Sequence, residues 1–146
     1  MSLGSQFALV FAKEGKKLKF PNSGQPAVAS KETKSSAKGF LDTVPFQDVG
    51  DIRTALLEAL KFAASSSAKR KTIIYIGSGD IYCGGAACTH EAVANSLANS
   101  ILQTVTSRNS GKVTINTIGV GVKPVRESFL RQLAAKNGGT YSRVDQ

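Results

Sequence analysis

Four residues able to bind a metal or change redox state crowd into one short stretch: Asp80, Cys83, Cys88 and His90, the only histidine. Cys83 and Cys88 bracket Gly84-Gly85-Ala86-Ala87. Three chemistries fit this spacing. A local disulfide is feasible, because a flexible glycine spacer lets the two Cα atoms approach, and it would imply an oxidising compartment outside the cytoplasm. A zinc site from one carboxylate, two thiolates and an imidazole has acceptable donors, although the spacer is long and no second Cys/His pair exists. Two free thiols are the third reading. A redox enzyme would place Cys-x-x-Cys at a helix start, which this chain does not. A thiol or zinc enzyme would need Cys83, Cys88 and His90 to converge, and no Ser-His-Asp set can be assembled. His90 itself, near a helix start, reads as a surface residue.

Two glycine-bearing segments follow strongly predicted strands: Gly77-Ser78-Gly79-Asp80 and Gly119-Val120-Gly121. Ligands of open α/β sheets sit at the carboxyl ends of the strands. Glycine, one serine and one displaced carboxylate make a scaffold for binding more than a catalytic set. Gly77-x-Gly79 followed by Gly84-Gly85 is too irregular for a phosphate loop.

The elements that must position these residues follow from periodicity. Phe7 to Ala12 is a short apolar run, the pattern of a buried strand. Lys17 to Phe20 alternates polar and apolar, as an edge strand does, with a turn between and a Pro/Gly-rich loop after it. Ser30 is an N-cap for a helix buried through Ala37, Phe40, Leu41 and Val44 and stopped by Pro45. A second helix begins near Asp51 and carries Ile52, Leu56, Ala59, Leu60 and Ala63 on one stripe. Thr72 to Ile76 is β-branched and aromatic, a strand. A helix from about Thr89 buries Val93, Leu97, Ile101 and Val105. A strand over 113–120 precedes a helix opened by Pro124 and buried by Phe129, Leu130, Leu133 and Ala134. Asn137-Gly138-Gly139 caps it, and 140–144 is a last strand. This alternation predicts a three-layer α/β/α, Rossmann-like, mostly parallel sheet with one antiparallel edge strand.

At 146 residues, 41% of them hydrophobic, the chain is expected to form one domain. Residues 1–5 read as a leader or cut end and 6–146 as the domain. No apolar run is long enough to span a membrane. The net charge of +9 raises nucleic acid as a partner. The lysines are scattered, however, with few aromatics between them for base stacking, so a protein partner is the expectation.

The chain resembles the von Willebrand factor type A domain. The resemblance rests on Phe-Ala-Leu-Val-Phe-Ala (7–12), on Asp51-Ile52-Arg53-Thr54-Ala55-Leu56 and on Thr72-Ile73-Ile74-Tyr75-Ile76. It is most specific in Ile115-Asn116-Thr117-Ile118-Gly119-Val120-Gly121 and in Phe129-Leu130-Arg131-Gln132-Leu133-Ala134 through Gly138-Gly139-Thr140-Tyr141. The family opens with a central strand ending in Asp-x-Ser-x-Ser. That motif is absent here, and the first strand matches the family's second, so the domain reads as N-terminally incomplete. The strands flanking the resulting hole could close up and pair, or a neighbouring molecule, including a second copy, could fill it.

The resemblance also implies a magnesium site, which needs oxygen ligands in near-octahedral geometry. Gly50 stands where the family has threonine, within Asp48-Val49-Gly50-Asp51, and Ser78 stands where it has aspartate. Asp51, Ser78 and Asp80 are the remaining weak metal candidates, with Asp51 read first as a helix cap. The implied function is a non-catalytic protein-interaction module with a degenerate metal site and no cofactor. Its partner-binding face would be Gly50, Asp51, Ser78, Gly79, Asp80 and Val122. The alternative is a magnesium- or manganese-dependent binding domain whose missing ligands lie upstream.

Overall fold

The structure, a computed structural model, describes residues 4–13, 16–45, 50–84 and 86–145; Asp48 and Val49 lie outside them. Strands β1 (Gln6–Phe7), β2 (Leu9–Lys13), β3 (Lys16–Phe20) and β4 (Ala27–Val28) precede helices α1 (Lys31–Thr43) and α2 (Ile52–Ser65). Then β5 (Thr72–Gly77), α3 (Glu91–Arg108), β6 (Thr114–Val120), α4 (Pro124–Lys136) and β7 (Tyr141–Val144) alternate. The first apolar run is split at Ala8: Gln6 and Phe7 pair with Val28 and Ala27, and β2 pairs antiparallel with β3. The short partner strand β4 lies between the Pro/Gly-rich loop and Ser30, a stretch for which the sequence indicates no element.

The α/β class holds, but the strands form separate sheets. β5, β6 and β7 make a parallel three-stranded sheet in that order, and the β2–β3 hairpin stands apart from it. Direct pairing of the hairpin with β5, one of the two ways of filling the hole, does not occur among the described residues. Helix α2 bridges the two instead, packing on β2 and on β5.

Each layer follows from side-chain parity. On one hairpin face, Phe11 and Phe20 meet Phe40 of α1, with ring centroids 6.0 Å apart in both pairs. On the other, Ala12 is buried, and Lys17 and Lys19 reach Glu58 of α2 at 3.1 and 3.0 Å. In the parallel sheet, Ile115 and Thr117 of β6 turn into the helices and are fully buried. Ile115 joins Leu56, Ile101, Val105, Leu130 and Leu133 in one core, where truncating a leucine to alanine typically costs about 2–5 kcal/mol, and the Thr117 hydroxyl donates to Leu130 O at 2.9 Å.

The helix ends are mostly those the sequence indicates. Ser30 accepts a hydrogen bond from the Thr33 N–H and its own N–H donates to Thr33 Oγ1, a capping box. Asp51 caps α2. Helix α3 differs: it starts at Glu91 with His90 as a cap that makes no side-chain bond. Its buried line is Ala94, Ala98, Ile101, Leu102 and Val105, leaving Val93 at the surface. Helix α3 is wedged between α2 and α4, so small alanines, not the longer valine, face inward.

At the amino-terminal end of the parallel sheet an asparagine pair ties the elements together. Asn137 donates to Leu133 O at 2.9 Å and to Thr106 Oγ1 at 3.2 Å, and it accepts from Asn109 Nδ2 at 2.9 Å. Asn109 in turn accepts from the Val113 N–H at 2.8 Å. Buried polar groups satisfied in this way rigidify a core.

Candidate functional site

The carboxyl ends of β2, β5 and β6 and the first turns of α2 and α4 form one end of the molecule, and most sequence-predicted site residues lie there. Asp51 is held at the end of β2, its N–H donating to Ala12 O at 3.0 Å. Its carboxylate accepts from the Thr54 N–H at 3.1 Å and from the Thr54 hydroxyl at 2.5 Å. Each oxygen therefore accepts one bond of the cap. Gly50, just before it, is exposed, and its Cα faces the same Ala12 carbonyl.

After β5 the chain folds back on itself. Ser78 Oγ donates to Asp80 Oδ2 at 3.1 Å and accepts from the Asp80 N–H at 3.2 Å. The other carboxylate oxygen of Asp80 lies 3.8 Å from Lys123 Nζ, at the start of α4. The Gly79 N–H donates to the Tyr75 hydroxyl at 3.4 Å. Burial pushes that phenol up to about 12, the nearby Asp80 carboxylate adding to it. Tyr75 thus stays a neutral post for the loop at any physiological pH.

Gly79 has φ +75°, and a Cβ there would sit 3.1–3.3 Å from Leu130. Gly79→Ala is expected to cost about 2 kcal/mol, from left-handed strain and overpacking together. Gly84→Ala, where φ is +66° but no atom lies within 4 Å of the added Cβ, should cost about half as much, from strain alone. Urea unfolding of the two variants separates the terms; equal losses would mean that Leu130 does not hold the loop.

Two residues expected on the binding face are not on the surface. Gly79 is buried, and Val122 is only 4% exposed and belongs to the core. Val122 follows Gly121, whose φ of +60° turns the chain inward, so an apolar side chain at that point supports the loop from below.

The two cysteines are joined as a disulfide, with Cα atoms 5.1 Å apart. Hydrogen bonds from the Cys83 N–H to Ala86 O and from the Cys88 N–H to Ile81 O tighten the same loop. In this arrangement the two sulfurs face each other and not His90 or Asp80 as partners. Among the described residues no three His, Cys, Asp or Glu side chains gather as a metal-binding group.

The loop carries something the sequence reading missed. Ile81 and Tyr82, with Asp51, Ile52 and Arg53 of the α2 start and Leu97 and Ile101 of α3, line a half-open cleft of about 190 Å³. Arg53 closes one side by donating to Ser100 Oγ at 2.7 Å. An apolar Ile-Tyr pair inside a glycine-rich loop was the available signal. Arg126, 3% exposed, was also missed; it donates to Asn95 Oδ1 at 3.3 Å and to Glu91 Oε1 at 3.4 Å, fixing α4 against the first turn of α3. Among the described residues no helix is long and apolar enough to cross a membrane.

No protein-family model matches the sequence, and no curated protein matches it either. Solved structures do. A von Willebrand factor type A protein from Catenulispora acidiphila superposes with a TM-score of 0.76 at 19% identity, over 100% of this chain and 31% of that one. An aerotolerance-related membrane protein from Bacteroides fragilis, solved with multiple mutations to serine, gives 0.61 at 19% identity, over 97% of this chain and 72% of that one. The chain spans less than a third of the length of the first. At this identity the likeness speaks for architecture, and the architecture of this chain is that of the von Willebrand factor type A domain.

Proposed function

We propose that this domain is a non-catalytic protein-interaction module that has given up metal dependence. One observation carries the reading: each oxygen-bearing side chain described at the strand ends is engaged by its own neighbours. Asp51 is consumed by Thr54, Ser78 by Asp80, and Asp80 faces the Lys123 ammonium. A magnesium ion wants several oxygen ligands and dehydrates reluctantly. A helix cap, a hydroxyl turned onto a carboxylate and a nearby cation do not fit that demand. What this end offers is a preformed surface: the rim at Gly50, Asp51, Ser78 and Asp80, exposed at the glycine and half-buried at the other three, and the cleft beside Tyr82. A preorganised loop costs little ordering entropy when a partner binds, and the Cys83–Cys88 bridge supplies that order. The bridge is compatible with an oxidising, extracytoplasmic compartment.

The test is a calorimetric titration with magnesium and manganese chloride. No heat is expected at millimolar metal. Clear one-to-one binding would overturn the reading in favour of metal-dependent adhesion, and Asp51→Ala and Asp80→Ala would then locate the ligand.

A further inference from the structure

The Cys83–Cys88 bridge orders the tip of its loop but is not what closes it. The Cys83 N–H donates to Ala86 O at 2.9 Å and the Cys88 N–H to Ile81 O at 2.8 Å. Tyr82 pairs antiparallel with Ala87, and Gly84, at φ +66°, turns the chain. Ile81, 2% exposed, roots the loop in the core. A disulfide adds least stability when the loop it closes is short, so this one does little to hold the domain together. Its two sulfurs also differ in access. Cys83 is exposed at the tip, whereas Cys88 is half-buried and packs against the core. Both line a half-open recess of about 260 Å³ with Ala86, Ala87, His90 and Val93. His90 caps α3 without a side-chain bond, which leaves the positive end of that helix free to favour a thiolate just before it.

We propose that Cys83–Cys88 is a thiol–disulfide exchange site, at which an external thiolate attacks Cys83 and Cys88 leaves. A bond forms between the incoming sulfur and Cys83 Sγ as the bond to Cys88 breaks, and Cys88 Sγ departs with the electron pair. The incoming sulfur is oxidised by as much as Cys88 is reduced, so no other oxidant or reductant enters. The incoming thiol leaves its proton in water, and the Cys88 thiolate can take one up from it. Exchange depends on which sulfur can be reached, and access selects Cys83. Cys88, held by the core, stays in place to attack the mixed disulfide, expel the thiolate and restore the bridge. Ala86, Ala87 and Val93 make the recess suited to an apolar side chain carried beside the incoming thiol, which favours a cysteine of another protein over a small hydrophilic thiol of the same chemistry. Exchange does not rest on the interaction reading above, so either proposal can fail alone.

The probes are reduced glutathione and a short peptide with valine on each side of one cysteine, each added to the oxidised full chain at millimolar concentration. Acid quenching, alkylation with N-ethylmaleimide and peptide mapping by mass spectrometry locate the adducts. Without urea, the expected product is a mixed disulfide on Cys83 with an alkylated Cys88, in about tenfold excess over the reverse arrangement. The peptide should react about tenfold faster than glutathione, and Val93→Ser should remove that advantage. Equal rates would overturn the protein source in favour of small thiols. Cys83→Ser with Cys88→Ser should unfold cooperatively in urea near the parent's midpoint, because the backbone bonds of the loop remain. A bridge that opens only in urea, adducts shared evenly between the two cysteines, or two free thiols in the air-oxidised chain would overturn the proposal. So would a double variant that no longer folds, because the bridge would then be a structural staple.

Discussion

Gly139→Ala is expected to destabilise the domain by about 3 kcal/mol, at the upper end of overpacking losses. Gly139 runs flush against β6: a Cβ there would collide with the Ile115 carbonyl oxygen and approach Asn116 Oδ1 at 2.8 Å. Backbone cannot step aside as a side chain can. The Thr117 N–H donates to Thr140 O at 2.9 Å, and the Thr140 N–H donates to Asn116 Oδ1 at 2.9 Å. Moving Gly139 therefore means loosening the start of the β6–β7 ladder. Gly138 is the control. Its φ is +69° with no atom within 4 Å of an added Cβ, and Asn tolerates the left-handed region, so Gly138→Asn should cost below about 1 kcal/mol. Urea unfolding followed by circular dichroism reads both. A Gly139→Ala protein as stable as its parent would show that β7 is not held in this register.

Glu58→Gln is the second large effect, and it depends on pH. The Glu58 side chain is 8% exposed and sits among Lys19, Lys17 and Lys61 at 3.0, 3.1 and 3.5 Å. The hydrogen bond from Lys19 is the main cause, with Lys17 adding to it, and together they outweigh burial and hold the carboxyl down at about 2, from an ordinary 4.5. A shift from 4.5 to about 2 is worth at most about 3 kcal/mol. The two lysines are 39% and 31% exposed, so water screens part of it, and about 2 kcal/mol is the expected contribution. The sign follows from linkage. The unfolded chain binds the proton first as pH falls, so the stabilisation is fully present above pH 4.5 and is lost on the way down to about 2. Parent and Glu58→Gln should differ by about 2 kcal/mol at pH 6 and converge near pH 2. A gap that persists at pH 2 would mean that packing, not charge, holds Glu58.

These two residues mark where the sequence was and was not legible. The parallel half could be read directly: Thr72–Ile76, the strand ending in Gly119-Val120-Gly121 and the Asn-Gly-Gly cap are local signals. Pro124 at the first turn of α4 and Asp51 at the cap of α2 were legible for the same reason. Glu58 was not, because its burial depends on lysines about forty residues earlier in the chain that cross to α2 only once the hairpin docks. The split into separate sheets was equally invisible. A strand's pattern reveals that it is buried, not which strand covers it. In the site, the cysteine spacing admitted three chemistries, because spacing along the chain does not say which side chains face one another. The cleft at Tyr82 needed α2, α3 and the loop together, and Val122 was misplaced because a residue's number relative to a turn does not say which way the turn points.

The bridging position of α2 has a consequence in time. From Thr72 to Val144 the contacts join elements near in sequence, β5 with β6, β6 with α4 and β7, and α4 with α3 and β7, so the closure entropy is small. That half can condense first and offer β5 and the flank of α3 as a template. Among the described residues the hairpin has no further ladder to join; the buried Glu58 carboxylate ties one face to α2, and aromatic rings tie the other to α1. It is expected to form late and to open early, with weaker amide-exchange protection than β5 and β6. A nascent chain emerging amino terminus first therefore exposes its least self-sufficient part longest, waiting for the part that will hold it.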